Sequence, residues 1–229
     1  MAEQLSLDLP SRTALGRDAF FAAPSNAAAL HLVEDWQNWA GRKLVLTGPE
    51  GSGKTHLTHV WAALSGAQIV AARDLPHIDI AVEAVRGSIA VEDVPEIASD
   101  AHAEALLFHL HNMALAEGQA LLLTGRGDVA RWGIALPDLK SRIQGSVAVA
   151  LNAPDDTLLS ALLVKLLSDR QLTPKPDLIP YLLSRMDRSF AAAIALVDRL
   201  DAASLAQKKP VTRRLAAQVL EARSPLDRP

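Results

Sequence analysis

The sequence predicts an α/β protein: a parallel sheet wrapped by helices, followed by a small all-α domain. Three observations carry that prediction. Short apolar runs alternate with helical patterns through the first two thirds of the chain, the signature of strand–helix–strand units. A glycine-rich turn joins the first of those runs to a helical stretch. Past Pro154 only helical periodicity remains. Composition agrees, since 40 Ala and 37 Leu stand among 229 residues against nine aromatics. Alanine and leucine favour helix while aromatics favour sheet, so helix should dominate.

Taken in order, residues 1–17 read as a flexible polar tail holding one apolar–polar alternation, Gln4-Leu5-Ser6-Leu7-Asp8-Leu9. Phe20-Phe21 and a loop around Pro24-Ser25-Asn26 follow. Leu30, Val33, Trp36 and Trp39 recur at three-residue spacing and predict a helix. Lys43–Thr47 is a short β-rich run ending in the glycine-rich turn, and Lys54–Leu64 reads as a helix. Gln68–Ala71, Ser88–Val91, Ala120–Thr124 and Ser146–Leu151 are long enough for buried strands. The clearest helical stretch between them is Ala101–Glu117. The pattern then changes. Leu158, Leu159, Leu162, Leu163, Leu166 and Leu167 form one amphipathic stripe behind Asp155 and Asp156, which suit a helix start. Further helical patterns at 177–186, 188–206 and 211–222 are punctuated by Pro174, Pro176 and Pro210. The boundary is placed near residue 153.

Composition also excludes several classes of function. The formal charge is −3, with no block of basic residues, so strong direct, sequence-specific DNA binding is not expected. Without cysteine there is no disulfide, thiolate nucleophile or Cys-bound zinc. No run of 18 apolar residues exists, so no membrane span is expected. The start carries Glu3 and Asp8 and lacks the pattern of a signal peptide, so a cytoplasmic protein is expected. Seven histidines lack metal-ligand spacing and read as surface or packing residues.

The strongest chemical signal is Gly48-Pro49-Glu50-Gly51-Ser52-Gly53-Lys54-Thr55, which fits the phosphate-loop pattern G-x-x-x-x-G-K-[ST]. Glycines let successive backbone N–H groups curl around phosphate oxygens. Lys54 brings a charge to the β- and γ-phosphates, and the Thr55 hydroxyl suits Mg²⁺. The helix that follows aims its positive end at the same anion. Ile89-Ala90-Val91-Glu92-Asp93 supplies a second signal, an apolar strand ending in two carboxylates. One would orient Mg²⁺ or its water, and the other would polarise an attacking water. The alternative is a pair of solvated strand-end residues. Thr124, at the end of the fourth strand, is the candidate to sense the γ-phosphate; Arg126 stays open as an alternative.

In this order the motifs resemble those of the AAA+ ATPases, and within them the bacterial replication initiator DnaA, over about residues 18–222. Phe20-Phe21 through Pro24-Ser25-Asn26 resembles the segment beside the adenine, and residues 51–56 resemble the phosphate loop. Leu139-Lys140-Ser141-Arg142-Ile143 is similar to the box that carries an arginine finger, here Arg142. Asp187-Arg188-Ser189-Phe190 falls where the lid carries its sensor arginine, here Arg188. The resemblance implies a AAA+ α/β domain over 18–153 and a helical lid over 154–229. It implies ADP or ATP held with Mg²⁺, with Thr55 and Glu92 as metal ligands. The family order at the strand end is Asp then Glu; here it is Glu92 then Asp93, a departure that bears on hydrolysis.

Two further departures narrow the expectation. The sequence runs only to Pro229, just past the lid, so no helix-turn-helix DNA-reading domain is expected. The tail resembles the short peptide with which bacterial proteins bind the replicative sliding clamp, with Gln4 at a pocket rim and Leu5, Leu7 and Leu9 as apolar anchors. Together these resemble the DnaA-related regulators that inactivate the initiator. They imply DnaA and the clamp as partners and Arg142 completing a composite site on DnaA–ATP; a homo-oligomer stays open. The competing readings are a self-sufficient ATPase motor of the helicase-loader type and a shortened initiator-like DNA binder.

Overall fold

The computed structural model describes residues 15–221; the alternating tail at Gln4, Leu5, Leu7 and Leu9 lies outside the described residues. Five strands form one parallel sheet: β1 (Lys43–Thr47), β2 (Gln68–Ala71), β3 (Ile89–Glu92), β4 (Leu121–Gly125) and β5 (Val147–Ala150). Their order is β2-β3-β4-β1-β5, so the first strand pairs with the fourth and the fifth. Lys43 stands opposite Leu121, and Leu44 opposite Val147. β1 and β4 lie inside the sheet with helices over both faces, which is why they read as unbroken apolar runs. β5 is an edge, and its Val147 is 42% exposed.

Side chains alternate across the sheet with the two-residue period of a strand. Leu44, Leu46 and Leu122 enter one core with Leu57 and Trp61 of helix α2 (Lys54–Ser65). Val45, Leu121 and Leu123 enter the other, with Leu107 and Leu110 of α4 (Ala101–Ala116). That second face also takes α3 (Ile80–Arg86) and α5 (Pro137–Gln144). Helix α1 (Ala27–Glu34) covers the first. A third cluster is purely helical, built by α6 (Asp156–Asp169), α7 (Leu178–Leu183), α8 (Phe190–Gln207) and α9 (Arg213–Glu221). Leu159, Leu163 and Leu167 of the leucine stripe are its fully buried members. Asp155 caps α6 by accepting from the Leu158 N–H at 2.7 Å.

Two elements differ from the sequence expectation. The predicted helix through Trp36 and Trp39 stops at Glu34; Trp36–Asn38 and Ala40–Arg42 are 3-10 turns. Spacing of three matches the 3-10 period better than the α period. Trp39 is held by tertiary contacts: its ring stacks on Trp61 at 5.2 Å and its indole N–H donates to the Leu32 carbonyl. Helix α3 has no counterpart in the sequence reading. Its seven residues are too few to show periodicity, and its local sign is Asp79, which accepts from the N–H groups of Ala81 and Val82.

Candidate nucleotide-binding site

The phosphate loop leaves the carboxyl end of β1, the position where open parallel sheets bind ligands. Its glycines are required by geometry. A Cβ at Gly48 (φ +154°) would lie 2.6 Å from the Leu151 carbonyl oxygen and 2.7 Å from Ser52 Oγ. Gly53, at φ +97°, is the N-cap of α2 and offers no side-chain acceptor, so the first N–H groups of that helix face the loop's interior. Lys54 is buried and folds back, donating from Nζ to the carbonyls of Gly48 at 2.9 Å and Pro49 at 2.8 Å. Burial lowers its pKa below the ordinary 10.5; Asp93 pulls it back up, Arg126 pushes it down, and Glu50 and Glu92 raise it. Ser52 Oγ is buried with no hydrogen-bond partner, while Thr55 is exposed at the start of α2.

The two carboxylates stand at the end of β3 beside this loop. Glu92 Oε1 is buried without a hydrogen-bond partner. Asp93 has a left-handed backbone (φ 54°), and its N–H donates to Thr124 Oγ1 at 3.2 Å. Thr124, 1% exposed, thereby ties the end of β4 to the end of β3. Its hydroxyl proton is left to point elsewhere. Arg126 reaches from beyond β4 to Glu50 of the loop at 2.8 Å, an exposed ion pair of small energetic weight.

The lid meets the same loop. The Phe190 N–H donates to the Gly51 carbonyl at 3.1 Å. A Cβ at Gly51 would lie 3.0 Å from Ser189 Cβ and 3.3 Å from Ala191 Cβ. Arg188 is exposed and pairs with Asp156, at the start of α6, at 3.2 Å. The opening segment folds alongside: Phe20 is buried edge-on to His56, and Asn26 accepts from the Ala23 N–H and donates to the Phe21 carbonyl. A groove of about 560 Å³ runs outside the loop, lined by Gly48, Pro49, Val129, Ala148 and Ala150 among others. Lys54, Thr55, Glu92 and Thr124 do not line it, so it is not the phosphate cradle.

The structure thus brings together Gly48 to Thr55, Glu92, Asp93 and Thr124, with the Arg188 segment against the loop. It leaves Arg142 apart. Arg142 is exposed in the last turn of α5, and its guanidinium makes no hydrogen bond or ion pair among the described residues. No ion pair forms with Asp138, one helical turn earlier in α5. The Arg142 carbonyl accepts from Lys43 Nζ at 3.0 Å, and Lys43 opens β1 while the phosphate loop follows the strand's other end. The sequence reading missed the seat of the lid on Gly51, the Thr124–Asp93 link and the buried Glu104 described below. Each joins positions far apart in the chain, and no local pattern announces it.

Comparison with known proteins adds a family match over the lid and a fold for the whole. Residues 155–220 match the family model described as Hda, lid domain. Domain III of the Thermotoga maritima replication initiation protein DnaA is 17% identical, with a TM-score of 0.76 over 88% of this chain and 93% of that one. AMPPCP-bound DnaA from Aquifex aeolicus is 16% identical, with a TM-score of 0.71; this chain matches it over 83% of its own length and spans 65% of that chain. The Thermotoga maritima RuvB Holliday junction branch migration motor is 16% identical, with a TM-score of 0.68 over 91% of this chain and 72% of that one. At such identities the likeness is one of fold, the AAA+ fold of a parallel sheet with a helical lid. Residues 155–220 are thus similar to the Hda lid domain, and the chain as a whole has the fold of domain III of DnaA.

Proposed function

We propose that this protein regulates replication initiation: it binds ADP or ATP, docks on the DNA sliding clamp through its N-terminal tail, and promotes hydrolysis of the ATP held by DnaA. The observation that carries this reading is Arg142, an exposed guanidinium without a partner among the described residues, in a chain whose lid is of the Hda family. A cation placed away from its own phosphate loop is suited to a neighbour's nucleotide. There it offsets the charge that develops as the γ-phosphoryl group departs, an effect of roughly 10³–10⁵ in rate in other nucleotide hydrolases.

The chain's own nucleotide would rest its phosphates on the N–H groups of residues 48–55 with Lys54 alongside, and Arg188 of the lid would swing to the same phosphates. The donor set fits Mg²⁺. The unpartnered Glu92 oxygen and the exposed Thr55 hydroxyl are hard oxygen ligands. The ion would neutralise phosphate charge. Asp93 would sit nearest an attacking water, held through its backbone by Thr124, and Arg126 stays over the loop on Glu50. A role on chromosomal DNA places the protein in the cytoplasm; among the described residues no helix is long and apolar enough to cross a membrane.

The test is turnover of DnaA–ATP with this protein, with and without DNA-loaded clamp. Stimulation that depends on the loaded clamp is expected. Arg142→Ala should keep ADP and clamp binding yet abolish stimulation, and Arg142→Lys should fail almost as badly, because an ammonium cannot reproduce the rigid guanidinium fork. Full turnover by Arg142→Ala would rule out the role in trans. A self-sufficient motor would instead turn over ATP at an undiminished rate without DnaA present.

A further inference from the structure

Helix α5 carries Arg142 and is only eight residues long. Its N-cap is Leu136, whose side chain cannot accept a hydrogen bond. The acceptor comes from another helix. Glu104 of α4 is 0% exposed, and its Oε2 accepts from the N–H of Leu136 at 2.6 Å. Both of its oxygens accept from the N–H of Ala135, at 3.0 and 3.1 Å, and Oε1 also accepts from Ser99 at 2.8 Å. Burying a carboxylate is costly unless its oxygens are satisfied. Here three backbone donors satisfy it. Burial alone would raise its pKa, yet the N–H groups of Ala135, Leu136 and Ser99 together hold it below the ordinary 4.5. Glu104 does from a distance what the glutamate of a capping box does locally, and it sets a negative charge at the positive end of α5.

The opposite end is held in the complementary way. The carbonyl of Arg142 itself accepts from Lys43 Nζ at 3.0 Å and from Ser146 Oγ at 2.8 Å. A cation thus stands at the helix's negative end. Between the two ends, Leu139 and Ile143 are buried against the sheet. Sliding or tilting α5 would break charge-assisted hydrogen bonds at one end or the other.

We infer that Glu104 and Lys43 are positioning residues for Arg142, fixing α5 from both ends so that the exposed guanidinium is presented at one distance and angle to a partner's nucleotide phosphates. This rests on the reading that Arg142 acts in trans. Such an anchor matters because misplacing a reacting group by about 1 Å can cost on the order of a hundredfold in rate.

The experiment measures hydrolysis of DnaA-bound ATP against the concentration of this protein on DNA-loaded clamp, for Glu104→Gln, Lys43→Met and Arg142→Ala. Glutamine keeps the volume but turns an NH₂ group toward backbone donors. Methionine keeps the lysine stem and removes its charge and hydrogen bond. Each should lower the saturating rate about tenfold while leaving the half-saturating concentration and ADP affinity unchanged. A role in stability alone would remove folded molecules, raising the half-saturating concentration and sparing the saturating rate. That result, or unaltered kinetics in both variants, would overturn the inference. Should Glu104→Gln fail to fold, Lys43→Met at its partly exposed site decides alone. Full turnover by Arg142→Ala overturns the trans reading and this one together; loss in Arg142→Ala with normal Lys43→Met and Glu104→Gln overturns only this one.

Discussion

At Gly125 a single absent methyl group lets Trp132 and Pro95 close on the end of β4. A Cβ there would lie 2.5 Å from the Trp132 ring and 2.6 Å from Pro95 Cδ, with no positive φ involved. Sterics alone demand glycine next to Thr124. Gly125→Ala should lower unfolding free energy by about 1–3 kcal/mol, the usual cost of overpacking a filled core; the denaturant midpoint measures it. Two histidines give the protein a pH dependence. Burial lowers the pKa of His56, with the Gly16 carbonyl opposing and His59 adding to the shift. Burial lowers His111 as well, with Asn112 opposing and Lys43 and Arg142 adding. Both folded values lie below the unfolded 6.5, so the unfolded chain binds more protons there and stability falls as pH drops below about 6.5. The melting temperature should therefore be lower at about pH 5.5 than at about pH 7.5. His111→Leu should flatten that slope, and an unchanged slope would show that His111 is not responsible.

At the scale of elements, the phosphate loop and its flanking β1 and α2 were legible because their chemistry is local: glycines, one lysine and one threonine in consecutive positions. The carboxylates of Glu92 and Asp93 were legible as the polar end of an apolar strand. The tryptophan stripe was misread because spacing of three serves both a 3-10 turn and a helix face, and only Trp61 decides between them. Glu104 was not legible as the anchor of α5, since the two donors that tie it to that helix, Ala135 and Leu136, lie 31 and 32 positions further along the chain. Arg188 was readable as a residue of the lid but not its partner Asp156, 32 positions earlier. Their exposed pair costs little to break, at most about 1 kcal/mol, so the guanidinium is free to exchange Asp156 for phosphate. Arg188→Ala should weaken ADP binding by about tenfold, the scale of one charge-assisted hydrogen bond. Calorimetric titration checks this, and an affinity equal to the parent's would leave Arg188 a surface charge.

Across the whole molecule, fold and partners were legible to different depths. The α/β part and the helical part follow from periodicity, whereas DnaA and the clamp follow only from resemblance, because nothing in composition or charge names a protein partner. The tail shows the difference. Docking through Gln4 to Leu9 is proposed from resemblance alone, and a short peptide would bind at about the micromolar level. Replacing Gln4 and Leu5 by Ala should abolish retention on immobilised clamp while ADP affinity stays intact; retention equal to the parent's would make the tail incidental. The seat of the lid has a consequence in hydrogen exchange. One amide, that of Phe190, is shielded by its bond to the Gly51 carbonyl, so its exchange with solvent deuterium requires the lid to part from the loop. Its protection factor then reads the opening equilibrium as a free energy. The rise in that factor on adding ADP gives the preference of the nucleotide for the closed arrangement, obtained at a single backbone atom with no label attached.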